Sequence, residues 1–421
     1  MRVLWFSNTP SLAAQALNYK ENVGGWIASL EKEINKLEGI QLGVAFPFGC
    51  SGVEQFEIGS TNYYSFPVFQ EKNGKIYLFS RWKHEIEPER NLDYFLEIVD
   101  KFNPDIIHIF GTEKDYGLII DRIKQPVIIQ IQGNLSVYEK KWFSGLSNYD
   151  VLRYSRIKKI IFAHGLWHLF FLSRKRAKRE RELMKKCLYF IGRTDWDRRI
   201  TRVFSPKSKY FHCDELLRTE FFKAKQWARP VHSSIRLIST LSSMSYKGIE
   251  TVLETVDLLK KSNLLEIEWH IIGIKGVEEI IEITEKTYHL KFSDYNIKFL
   301  GNLDPDELVK ELLQANIYVH PSHIENSPNS VCEAMLLGLP IIATYAGGTS
   351  SIIKNEIEGI LVQDGDPYSL AGAIYELIND ENLIQLISEN ARIKARIRHD
   401  SNKVVGDLLN IYNTILLELA K

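Results

Sequence analysis

The sequence predicts an α/β protein of two Rossmann-like domains, each a parallel sheet covered by helices. Three observations predict it. Strands and helices alternate through both halves, the pattern of a parallel sheet with crossover helices. The alternation starts afresh near Ser234, after a mixed stretch. The chain has 421 residues, more than one ordinary core supports.

The first half opens on an apolar strand from Val3 to Ser7, and Gly24-Gly25 then precede a helix over 25–37. IQLGVAFPF (40–48) is the next strand. A hairpin-like region is expected over 56–80, from Phe66-Pro67, the turn pair Asn73-Gly74 and the alternating KIYLFS. A helix over 90–102 stops before Asn103-Pro104, and strands follow at 105–111 and 126–133 with a short helix between them. IGRTDWDRR (191–199) reads as a strand and a helix start. Residues 1–205 therefore form one domain and 206–233 a linker.

The second domain, 234–401, begins with IRLISTL (235–241), a loop holding Lys247-Gly248 and a helix over 249–261. Strands at 267–274 and 297–301 alternate with helices at 276–291 and 304–315. Next comes Ile317 to Val319, a polar loop with Glu325, and a helix from Asn329 that carries Glu333 and closes at Gly338. Leu339 to Ala343 is a buried strand ending in a loop with Gly347-Gly348, and GILV (359–362) is the last strand before a helix over 368–379. A helix over 402–418 has an apolar stripe of Val405, Leu408, Leu409, Tyr412, Ile415 and Leu416.

Bulk composition excludes some functions. Lys plus Arg equals Asp plus Glu at 53 each, so the charge gives no reason to expect nucleic acid or an acidic substrate. No run of about 20 apolar residues exists to span a bilayer. Four cysteines (Cys50, Cys187, Cys213, Cys332) lack CxxC spacing, and nothing before the first strand reads as a signal peptide. A reducing cytoplasm is the expected location. Residues 153–186 depart from neutrality, with twelve Lys/Arg against two Glu around the aromatic stretch IIFAHGLWHLFFL. This block reads as a solvated helical face or as a contact with an anionic inner membrane surface.

The chemistry concentrates in NIYVHPSHIENSPNSVCEAMLLGLPIIATYAGG (316–348). Open parallel sheets bind small molecules at the carboxyl ends of their strands. The helix start near Asn329 offers free backbone N–H groups that suit a phosphate. Glu325 and Glu333, eight positions apart, suit a polyol such as a sugar or ribose. Lys247, beside a helix start after the first strand of this domain, suits a diphosphate. Gly24-Gly25 would let backbone approach a ligand closely. Two such domains facing each other across a cleft would hold a nucleotide diphosphate on one side and an acceptor on the other. His108 lies mid-strand as a packed residue or a ligand contact, and His320 and His323 flank Pro321-Ser322 without metal-type spacing.

These pieces resemble the family 4 retaining glycosyltransferases of the GT-B fold, of the kind found in bacterial surface polysaccharide synthesis. The resemblance rests on Glu325-x7-Glu333, EAMLLGLPIIAT (333–344), Gly347-Gly348, Lys247-Gly248, EGILVQDGDP (358–367), GGWIASLEKEI (24–34) and PDIIHIFG (104–111). It implies that Glu333 holds the ribose hydroxyls and that Glu325 contacts the transferred sugar beside the reacting carbon. Backbone N–H groups at Asn329 and Ser330 would hold the diphosphate, Lys247 would neutralise its leaving charge, and Gly25 would lie against the phosphate. It further implies transfer with retention, no metal and no cofactor beyond the nucleotide-diphosphate sugar itself. The acceptor would be a saccharide or lipid-linked saccharide. The helix over 402–421 would return to the N-terminal domain.

Three positions depart from the family pattern. Ser242 and Ser243 stand where an Arg often precedes the lysine, which would leave Arg193 or Arg218 to serve. Gln132-Gly133 replaces His-Gly, and Ser350-Ser351 replaces Pro-Glu. Gln132, His108, Arg193 and Arg218 are therefore the expected further contacts to sugar or acceptor. Two other readings fit the same residues: a degenerate nucleotide-sugar-binding scaffold, or a sugar-nucleotide 2-epimerase.

Overall fold

A computed structural model describes residues 1–18, 25–68, 75–231 and 234–420. Gly24 and the Asn73-Gly74 pair lie outside the described residues. The chain forms two compact units. The first is Met1–Glu139, Phe171–Leu217 and Arg398–Lys421; the second is Lys140–Phe170 and Arg218–Ile397.

The first unit holds an eight-stranded sheet: β1 (Arg2–Phe6), β2 (Gln41–Phe48), β3 (Glu54–Ile58), β4 (Thr61–Pro67), β5 (Ile106–Phe110), β6 (Val127–Gln130), β7 (Tyr189–Gly192) and β8 (Lys209–His212). Its order is β3-β4-β2-β1-β5-β6-β7-β8. All neighbours are parallel except the antiparallel pair β3/β4. Helices cover both faces, which is why β1 and β5 are near-continuous apolar runs. The hairpin sits earlier than expected, at β3 and β4, and KIYLFS lies in a helix, Lys75–Trp82. A short apolar run fits either period, so alternation alone misassigned it.

The last helix, Ser401–Leu419, buries Val404, Val405, Leu408, Ile411, Tyr412 and Ile415 in the core of this first unit, against Val3, Trp5 and Val44. The Tyr412 hydroxyl sits 3.2 Å from Trp5 Nε1 and 2.6 Å from His108 Nδ1. A chain segment that follows the second unit thus completes the core of the first.

The second unit holds six parallel strands: β9 (Ile235–Thr240), β10 (Ile267–Ile272), β11 (Ile297–Gly301), β12 (Ile317–His320), β13 (Ile341–Thr344) and β14 (Ile360–Val362). Their order is β11-β10-β9-β12-β13-β14. The chain winds outward from β9 to β11, then returns to the other side of β9 with β12. The junction of β9 and β12 is therefore the topological switch point, where open sheets bind ligands.

The units differ from the expected division in one large piece, because 140–170 packs with the second. The Trp142 carbonyl accepts from Ser245 Oγ, the Gly145 carbonyl accepts from the Tyr288 hydroxyl, and Lys141 pairs with Asp364 at 3.0 Å. The rings of Trp142 and Tyr246 lie 5.6 Å apart, edge to face. Residues 206–233, expected as linker, are split as well: those up to Leu217 belong to the first unit and the described ones from Arg218 on to the second. Among the described residues no helix is long and apolar enough to cross a membrane.

Candidate active site at the sheet switch point

The loop after β9 carries Lys247 and the loop after β12 carries Glu325, and the two strands are neighbours. Their side chains meet: Lys247 Nζ donates to Glu325 Oε1. Burial raises the Glu325 carboxyl, but the Lys247 ammonium outweighs it and holds the group below its ordinary value. Glu325 also accepts from Ser322 Oγ at 3.3 Å, and His320 Nε2 lies 3.8 Å away. His320 is fully enclosed; desolvation brings its pKa down to about 4, so it is neutral near pH 7.

Backbone contacts fix these loops against one another. The N–H of His323 donates to Tyr246 O at 2.8 Å, and that of Gly348 to Glu325 O at 2.9 Å. Thr344 Oγ1 donates to the Ser322 carbonyl. Gly347 has φ +56°, and a Cβ there would overlap the Glu325 carbonyl. At Gly248, with φ +76°, a Cβ would likewise overlap the Pro321 carbonyl. Both positions need glycine for handedness and for space.

The helix Asn329–Leu337 begins after Pro328 with no side-chain cap. Val331 and Cys332 N–H groups turn back to Pro328 O, whereas those of Asn329 and Ser330 meet no acceptor among the described residues. Two N–H groups at a positive helix end remain for an anion. Four residues on, Glu333 is gripped by Arg218, with Nε to Oε1 at 2.7 Å and Nη2 to Oε2 at 2.8 Å. Burial raises the Glu333 carboxyl, and Arg218 opposes the rise. Each carboxylate oxygen keeps a lone pair, so Glu333 remains able to accept hydroxyls.

One part of the cluster goes beyond the sequence expectations. His323 lies between two carboxylates, with Nε2 2.5 Å from Glu250 and Nδ1 3.4 Å from Asp364. Desolvation lowers its pKa, but the two acids outweigh this and raise it. Glu250 had a signal in sequence only as an acidic residue in a helix's first turn.

The first unit treats its candidates differently. His108 is buried and bonded to Tyr412, and desolvation takes its pKa down to about 3. It is a packed residue. Arg193 is 3% exposed; it lies 3.5 Å from Glu215 and donates to the Gln132 carbonyl at 3.2 Å. Arg193 therefore anchors the Gln132 loop from inside. Gln132 is half-buried, and Gly25 begins its helix exposed, at φ +24°.

Residues 233–394 match the family model for glycosyl transferases group 1. The second unit carries a glycosyl transferases group 1 domain. Over 173 residues the chain is 28% identical to the capsular polysaccharide biosynthesis glycosyltransferase CapM of Staphylococcus aureus, a match covering 41% of this chain and 44% of that protein. The chain thus spans less than half the length of the curated relatives it matches. Among solved structures, sucrose-phosphate synthase from Thermosynechococcus elongatus aligns with TM-score 0.68 at 14% identity, over 99% of this chain and 100% of that one. Anabaena Alr3699/HepE in complex with UDP-glucose aligns with TM-score 0.61 at 14% identity, over 99% of both chains. At these identities the likeness is one of fold. The two Rossmann-like units have the GT-B fold.

Proposed function

We propose that the protein is a retaining glycosyltransferase of family 4 that moves a sugar from a nucleotide-diphosphate donor to an acceptor hydroxyl, in polysaccharide or glycolipid synthesis. The observation that carries this reading is the Lys247–Glu325 pair at the switch point of a glycosyl transferases group 1 domain. CapM, named for capsular polysaccharide biosynthesis, and the complex of HepE with UDP-glucose support the acceptor and donor classes.

In this reading Glu333 accepts the ribose hydroxyls and the amides of Asn329 and Ser330 take the diphosphate. Lys247 then divides its charge between Glu325 and the phosphate oxygens. As the bond from the anomeric carbon to the phosphate oxygen breaks, negative charge grows on the leaving diphosphate. Lys247 and the helix end stabilise it, and in many enzymes such preorganised charge contributes more to the rate than any other effect. Glu325 carries negative charge beside the sugar, where positive charge develops. The acceptor oxygen bonds to the anomeric carbon on the face the phosphate leaves, and its proton passes to a departing phosphate oxygen. These groups supply the charge compensation that a metal would otherwise give, so a chelator should leave the rate unchanged.

The test is release of nucleoside diphosphate from a panel of nucleotide sugars, by wild type and by Glu325→Ala. Turnover that the variant lowers by about a hundredfold or more is expected. Tight binding without turnover, given an acceptor saccharide, would point to a scaffold. Interconversion of donor sugars without release would point to an epimerase.

A further inference from the structure

The basic block 153–186 is not one surface. Along the helix Leu166–Lys186 nearly every cation is engaged within the first unit. Arg174 pairs with Glu139 at 3.0 Å, Arg176 and Arg179 share Glu87 at 2.6 and 3.0 Å, and Lys186 pairs with Asp121. Glu87 is so held by Arg176, Arg179 and Lys114 that, against desolvation, its pKa falls to about 2. The charge that looked most available in the sequence is largely spoken for.

The preceding pair of short helices, Asn148–Tyr154 and Ile157–Ile161, shows the opposite arrangement. Within fourteen residues five large apolar side chains are exposed: Tyr149 (66%), Leu152 (53%), Ile157 (73%), Ile161 (52%) and Phe162 (51%). Tyr149 and Leu152 share one helix face, as do Ile157 and Ile161. Among the described residues Arg153 and Lys158 have no carboxylate partner; Arg153 rests over the rings of Tyr149 and Tyr154.

The other side of this segment is pinned to the second unit. Arg156 Nε donates to Glu282 at 2.8 Å. The buried Glu279 takes Lys159 at 3.4 Å and the N–H groups of Arg156 and Leu166, both at 3.3 Å. The segment thus divides its charges: Arg156 and Lys159 bind inward, and Arg153 and Lys158 stay out among apolar side chains. Five exposed apolar groups within fourteen residues, on a fixed support, are costly in water. Interleaved with cations that have no carboxylate partner among the described residues, they suit the boundary between acyl chains and anionic headgroups.

We propose that Tyr149, Leu152, Arg153, Ile157, Lys158, Ile161 and Phe162 form a docking surface for an anionic lipid bilayer, in place of the basic helix that follows. This deepens the reading of a lipid-linked acceptor and rests on it for its purpose. The test needs neither donor nor acceptor, so its failure is distinct from failure of the transferase reading.

Full-length protein is sedimented with vesicles of phosphatidylcholine, with or without phosphatidylglycerol. Binding is expected only with the anionic lipid. Arg153→Ala/Lys158→Ala, and separately Ile157→Ser/Phe162→Ser, should each lower the bound fraction by at least about tenfold. Lys185→Ala/Lys186→Ala on the long helix should leave it unchanged. All of these positions are exposed, and circular dichroism confirms that each variant folds. Absence of binding, equal binding to both lipids, or loss only in the long-helix variant would overturn the proposal. So would a wild-type dimer, seen by light scattering, that the patch variants dissociate.

Discussion

Glu333 and His323 are a buried acid and a buried base whose charges depend on named neighbours, Arg218 for the first and Glu250 with Asp364 for the second, and both make pH-dependent predictions. Arg218 alone opposes the rise that burial imposes on the Glu333 carboxyl. In Arg218→Ala that carboxyl should climb further. Nucleoside diphosphate binding should then weaken by about tenfold as pH falls from 8 to 6, while wild type changes less. Calorimetric titration at the two pH values checks this. His323 has the opposite sign. Its folded pKa lies above the ordinary value of 6.5, so its stabilisation is complete below 6.5 and is lost as pH rises through the folded value. His320, depressed to about 4, contributes in the other direction, as stability lost when pH falls. The difference between wild type and His323→Gln isolates the first effect. The gap in melting temperature should be largest at acid pH and shrink above neutrality. A gap constant with pH would mean that His323 packs without its charge.

At the scale of elements, the loop after β12 is held by glycine and the first sheet by the final helix. Gly347→Ala adds a Cβ against the Glu325 carbonyl at a left-handed position. It should destabilise the second unit by more than about 2 kcal/mol and lower turnover sharply, since the loop carrying Glu325 must move. Tyr412→Phe leaves Trp5 Nε1 and His108 Nδ1 without their shared partner. A loss of about 1–2 kcal/mol in chemical denaturation is expected, with donor binding by the second unit unchanged. These elements also show what sequence made legible. The placement of Glu325, Glu333 and Lys247 was readable because strand, loop and helix are written in local periodicity and in turn residues. The apolar stripe with Tyr412 was readable for the same reason. KIYLFS was not, because six residues satisfy both periods. The bond from Arg218 to Glu333 was not, because 115 positions separate its ends and neither residue's neighbours record it. Glu250 and Asp364 around His323 were invisible for that same reason.

Across the whole molecule, the order of the chain is not the order of its units. Residues 140–170 leave the first unit to pack with the second, and Arg398–Lys421 return to the first. Equal numbers of acids and bases hide a local surplus that ion pairs then largely absorb, so neither the total nor the block predicts a surface. The partners of each side chain do, and they leave the short helices around Ile157. At the switch point between β9 and β12 a diphosphate should meet Lys247 and the start of the Asn329 helix, with ribose on Glu333. Calorimetric titration of UDP, GDP and ADP into wild type, Lys247→Ala and Glu333→Ala tests this placement. At least one nucleotide should bind wild type, and each substitution should weaken that binding by about tenfold or more. No binding by wild type, or equal binding by all three proteins, would contradict it.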